Sequence, residues 1–149
     1  MKIFENKFFF DLRIFLSYLG IIPFIFILLD LHLLNLFSNI FIKDFIILYT
    51  LLISSFIGAM RWDFSCKANS KKIFYGFLPS LYSSVFIFLY LLNFNKKLII
   101  IIIITFLFLQ LILDFFISLK NKDEKKFLFK VRIPLTFLIG FVSFYVIFV

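Results

Sequence analysis

Five apolar stretches, roughly residues 13–35, 43–64, 73–94, 97–119 and 128–149, make up most of this chain, and only short polar segments separate them. About 20 apolar residues rising 1.5 Å each cross a hydrocarbon core of about 30 Å, so each stretch is long enough to span a membrane as a helix. Composition closes off the soluble alternative. A domain of 149 residues is mostly surface, and one that is 64% hydrophobic would be insoluble in water. The reading is an all-α integral membrane bundle of five transmembrane helices, forming a single transmembrane domain over residues 1–149. Strands are disfavoured, because lipid-exposed backbone must satisfy its own hydrogen bonds and the two-residue alternation of a barrel is absent. The first span follows Lys2, Lys7 and Arg13 as a secretion signal would, but its length and the lack of a small-x-small site mark it as retained.

Charge then sets orientation. With five spans, Lys2, Lys7 and Arg13 share one side with Arg61, Lys67, Lys71 and Lys72, and with Lys120, Lys122, Lys125, Lys126, Lys130 and Arg132. That side holds 13 of the 16 basic residues, leaving Lys43, Lys96 and Lys97 for the other. The bias predicts a cytoplasmic N-terminus and an external C-terminus in the inner membrane of a bacterium. It also explains the net charge of +8 without nucleic acid as a partner, because the basic residues lie in short segments beside apolar runs. The partners indicated are the lipid bilayer and other membrane proteins. A lone Cys66 cannot form an internal disulfide and reads as a reduced bystander. The abundance of Phe, Ile, Lys and Asn reflects AT-rich coding, so the run Ile99 to Ile104 reads as lipid-facing filler.

Helices in lipid associate through small residues. Ser54 and Gly58 share a stripe on the second span, Gly76, Ser80 and Ser84 on the third, and Thr136 and Gly140 on the fifth. Gly20 and Pro23 predict a bend in the first helix and Pro79 one in the third. Charges are costlier in hydrocarbon and so more informative. Counting 17 residues in from the opposite boundary places Arg13, Arg61, Asp114 and Arg132 at one depth, with Pro79 and Ser80 near it. Asp114 lies between Gln110 and Ser118 on one helical stripe, and Arg61 and Arg132 share stripes with small residues. Asp114 is therefore expected to pair with Arg61 or, failing that, Arg132, in an interfacial contact worth about 1–2 kcal/mol. Two readings of this layer stay open: helix registry near the headgroups, or an inward-facing pocket for an anionic headgroup or small anion, using Arg61, Trp62, Ser80, Asp114 and Arg132. Trp62 and Tyr75 fit the interfacial aromatic belt.

Other chemistry finds little footing. His32 is the only histidine, so paired-histidine haem ligation and zinc sites of the HExxH type are excluded, and no Walker A or glycine-rich nucleotide loop occurs. The sequence nominates no catalytic residue, metal ligand or cofactor. Asp30 and His32 stand two apart, on different faces of a helix, which favours a loop-end polar pair over a proton-handling one.

Certain strings nonetheless resemble a known family. Gly20-Ile21-Ile22-Pro23-Phe24, Tyr49 followed by Ser55-Phe56-Ile57-Gly58-Ala59-Met60-Arg61-Trp62, Leu78-Pro79-Ser80 and Arg132-Ile133-Pro134-Leu135-Thr136 are similar to an uncharacterised family of small bacterial and mitochondrial membrane proteins. That family includes transmembrane protein 69 and carries domain of unknown function 3429. Where the family has two glycines before the aliphatic–Arg–Trp step and one after it, this chain has Gly58-Ala59 and Asp63. The resemblance implies a multi-span protein with no assigned activity. The expected function is accordingly that of a non-enzymatic accessory or assembly component. The alternative is a small transporter or lipid- and anion-binding protein using the arginine-rich layer. A membrane enzyme would rest on Asp114, Asp63 and Ser80 alone.

Overall fold

A computed structural model describes residues 14–15, 17–59, 70–118 and 122–149. Among these residues there are five helices long and apolar enough to cross a membrane, and no strand. Residues 17–19 form a helical turn that breaks at Gly20 and Ile21 before α1, Ile22–Leu29, which continues into a π-helical turn, Asp30–Leu34. Pro23 sits in the first turn of α1, where a missing N–H leaves no bond unmade. The α-helical pattern is broken at Gly20 and Ile21, just ahead of Pro23, within a span that continues from Ser17 to Leu34, and the Tyr49 hydroxyl donates to the Gly20 carbonyl at 3.0 Å.

Helix ends differ from the sequence boundaries for reasons visible in the caps. Helix α2, Asn39–Ala59, begins ahead of residue 43. Ser38 starts it: its carbonyl accepts the Ile42 amide at 3.0 Å and its hydroxyl the Phe41 amide at 3.3 Å. Helix α3, Ser70–Leu91, stops before 94 where Asn93 turns to a left-handed φ of 57°. Asn95 then opens α4, Lys96–Ser118, by accepting the Lys97 amide on its side chain at 3.0 Å. Helix α5 starts well before 128 and comprises Lys122–Phe127, a π-helical turn Leu128–Arg132, and Ile133–Phe148. Pro134 opens its last piece and cannot donate to the Lys130 carbonyl, which instead accepts the Tyr18 hydroxyl at 2.6 Å.

α2 packs most extensively on α3, and α4 on α5. Helix α5 is the central one. Its membrane window is 56% buried, against 22–33% for the other four. The core contains Phe24, Ile42, Ile46, Ile47, Leu51, Val146 and Ile147, and also Ile99, Ile100 and Ile103. Part of the isoleucine run is therefore interior. Only some of its members, such as Ile101, face outward as filler would, because a helical run necessarily turns some side chains toward its neighbours.

Candidate functional site: a buried polar layer

Four-residue spacing on α4 places Gln110, Asp114 and Ser118 on one stripe, and all three are buried. Asp114 is 0% exposed. Its Oδ2 accepts a charge-assisted hydrogen bond from the Arg132 guanidinium, whose residue is 6% exposed. Its Oδ1 accepts from the Tyr75 hydroxyl at 2.9 Å, and that hydroxyl also lies 3.1 Å from the Gln110 main-chain carbonyl. The carboxylate therefore ties α4 to α3 and to α5 at once. The π-helical turn ends on Arg132, so this arginine enters the interior at the point where the helix returns to α geometry.

Two sequence expectations change here. The pair is enclosed by the helices rather than open to water, which moves it into the regime where loss of one partner leaves a desolvated charge. Tyr75 belongs to the site and not only to an aromatic belt; its hydroxyl finds a carboxylate instead of headgroups. Arg61, Trp62 and Asp63 lie outside the described residues, and with them the expected Asp114–Arg61 contact.

Around this centre the hydroxyls join helices in pairs. Ser80 Oγ and Ser55 Oγ are 2.9 Å apart, linking α3 to α2. Deeper, the Ser54 and Ser83 hydroxyls lie 3.1 Å apart and each lies within hydrogen-bond distance of the Leu51 carbonyl, at 2.8 and 3.1 Å, so one of them donates to that carbonyl and the other has its proton for either neighbour. Thr50 and Ser143 meet at 2.8 Å between α2 and α5. Sequence reasoning nominated Ser54, Ser80 and Thr136 but not Ser83, Thr50, Ser143 or Tyr75 as site residues. Position Ser83 lies one turn beyond Pro79, the residue on which α2 rests, and that offset was the available signal.

The nominated packing residues fall in three places. Gly58 lies directly against α3: a Cβ there would stand 2.6 Å from Pro79 Cγ and 2.8 Å from the Gly76 carbonyl oxygen. Gly140 faces Phe108 and Ile104 at ordinary contact distance, and Gly20 faces Ile53. Thr136, one turn after Arg132, is buried. On the outer surface a groove lined by Leu111, Ile112, Phe115, Leu128, Ile133 and Phe137 has no polar lining, and so offers nothing to grip a polar solute.

The opposite end of the bundle is built differently. Asp30 is also 0% exposed, yet it accepts the main-chain amides of Leu36 at 2.9 Å and Phe37 at 3.2 Å. His32 does not join it and instead meets the Tyr145 hydroxyl at 3.0 Å. Asp44 forms a part-exposed ion pair with Lys96, whose ammonium lies 5.7 Å from the Tyr90 ring centre. Among the described residues no group of three or more His, Cys, Asp or Glu could hold a metal ion.

A family model for proteins of unknown function, DUF3429, matches residues 11–148. No curated protein and no solved structure matches the chain.

Proposed function

Since the chain belongs to the DUF3429 family of proteins of unknown function, we propose from its geometry that it is a non-enzymatic multi-pass membrane component, an accessory or assembly partner of other membrane proteins. One observation carries this reading. The acidic centre of the polar layer is engaged by the protein's own groups: Asp114 holds Tyr75 on one oxygen and Arg132 on the other. Ser80, nominated for ligand binding, is likewise turned on Ser55. Side chains used in this way fix the relative rotation of helices, which suits a rigid body presented to a partner. The basic asymmetry supports a bacterial inner membrane with the N-terminus in the cytoplasm and the C-terminus outside.

The test is co-purification in mild detergent followed by native mass spectrometry. A stoichiometric membrane-protein partner is expected. The second reading, a lipid- or anion-binding protein or small transporter, draws on exposed Lys125, Lys126 and Lys130, which precede Arg132 on the same helix. A retained phospholipid or anion that is lost on Arg132→Ala, with no protein partner, would favour that reading and overturn the first. Reporter fusions after Val149 and at residues 121–126 are expected on opposite sides, and finding them on one side would overturn the orientation.

A further inference from the structure

Two side chains beside the Asp114–Arg132 pair have polar atoms with no hydrogen-bond partner among the described residues. Gln110 is 5% exposed, and neither its Nε2 nor its Oε1 has a hydrogen-bond partner; Tyr82 is 7% exposed, and its hydroxyl has none either. They belong to one region. Tyr82 follows Tyr75 by two helical turns on the same face of α3, and Tyr75 reaches both Asp114 and the Gln110 carbonyl. The Tyr82 ring stacks on Phe106 at 4.9 Å, and Phe106 precedes Gln110 by one turn of α4.

We infer that Gln110 and Tyr82 frame a buried hydration site, a small cluster of water held against the Asp114–Arg132 pair and exchanging only through the end of the bundle where Ser118 lies. The chemistry selects an uncharged guest. Among the described residues Arg132 and Asp114 compensate each other, so an added ion of either sign would stand unbalanced beside them in a medium of low dielectric. A carboxamide brings two donors and an acceptor, and a phenol one donor and one acceptor, a mixture matched by a molecule that both gives and takes hydrogen bonds. Leaving those atoms bare carries the full desolvation penalty, which buried water ordinarily removes by bonding two to four polar partners. The direction of exchange follows from the core. Beyond Gln110 the inward stripe of α4 becomes Leu107, Ile103, Ile100 and Ile99, packed with Ile46 and Ile47, whereas toward the other end it runs to Asp114 and Ser118.

Radiolytic hydroxyl-radical labelling of the full chain in detergent tests this, because radicals born from ordered buried water mark the side chains beside it. Tyr82 is expected to label severalfold faster than Phe24, an aromatic of equal or deeper burial in the apolar half. The substitution Gln110→Met should bring Tyr82 down toward the Phe24 rate without raising the melting temperature. Equal labelling of Tyr82 and Phe24 in the unaltered protein would overturn the site, as would a melting temperature raised by Gln110→Met, the signature of a dry, unsatisfied carboxamide. If Gln110→Met does not fold, water-edited solid-state NMR on the unaltered protein in bilayers decides. Polarisation from water should reach the Gln110 side-chain amide well before the Ile100 methyls, and simultaneous arrival would exclude the cluster.

Discussion

Two carboxylates, Asp30 and Asp114, are both fully buried near opposite ends of the same bundle, yet they are used in opposite ways. Asp30 reaches six and seven residues along the chain to two main-chain amides, so it shapes a loop with donors that are locally supplied. Asp114 takes its donors from Tyr75, 39 residues away, and Arg132, 18 residues away, so it exists as a contact only when three helices are assembled. The interiors beside them differ accordingly. Isoleucines fill the half toward Asp44 and Lys96, and hydroxyls, a carboxamide and the ion pair fill the half toward Ser118. The first end is held by apolar packing with polar groups at its rim, and the second by specific polar partners across helices.

The difference is most easily broken at Asp114. Asp114→Ala removes the buried carboxylate that the Arg132 guanidinium engages and should lower the unfolding free energy by about 3–5 kcal/mol, whereas Asp114→Leu combined with Arg132→Met should recover most of the loss. Denaturation in detergent measures both, and strictly additive single and double changes would remove the distinction between the ends. Tyr75→Phe deletes a hydrogen bond to a charged group and should cost about 1.5–3 kcal/mol. In the Asp114→Leu, Arg132→Met background that cost should largely vanish, as the same denaturation series will show.

At the other end, Asp30→Ala should cost about 1–2 kcal/mol, the scale of a lost helix or loop cap. It should add independently to Arg132→Met, and measurable coupling between them would mean that the two ends form one network. The smallest effect is expected where a neutral pair bridges helices. Ser143→Ala should change stability by about 0.6 kcal/mol, the average for such bonds inside membranes, and a loss several times larger would move Thr50 and Ser143 into the class of Asp114.

The spans were legible because bilayer thickness imposes a length on any helix that crosses it, and the stripe Gln110-Asp114-Ser118 because a four-residue step needs no tertiary information. Equal depth of Asp114 and Arg132 could be counted along each helix, but the rotation that turns Arg132 onto Asp114 could not. That rotation depends on the π-helical turn Leu128–Arg132, where one wider turn shifts every later side chain around the axis. Tyr75 was misplaced for a related reason, since an aromatic with a polar tip suits both an interface and a buried carboxylate, and only the neighbouring helix decides. The start of α2 at Asn39 turned on Ser38, a capping residue that lay in a segment read only as a polar connection.

The central position of α5 has a consequence in time. Arg132 follows Asp114 by 18 residues, so at about 5–20 residues per second the ribosome releases the acid about one to four seconds before this basic partner. During that interval α4 carries the carboxylate into or beside the bilayer with Tyr75 already available on the preceding helix but Arg132 not yet made. The most buried helix is also the last of the five to arrive. The earlier four must therefore stay close enough together in the membrane to receive it, and any delay in that arrival prolongs the exposure of Asp114 to lipid.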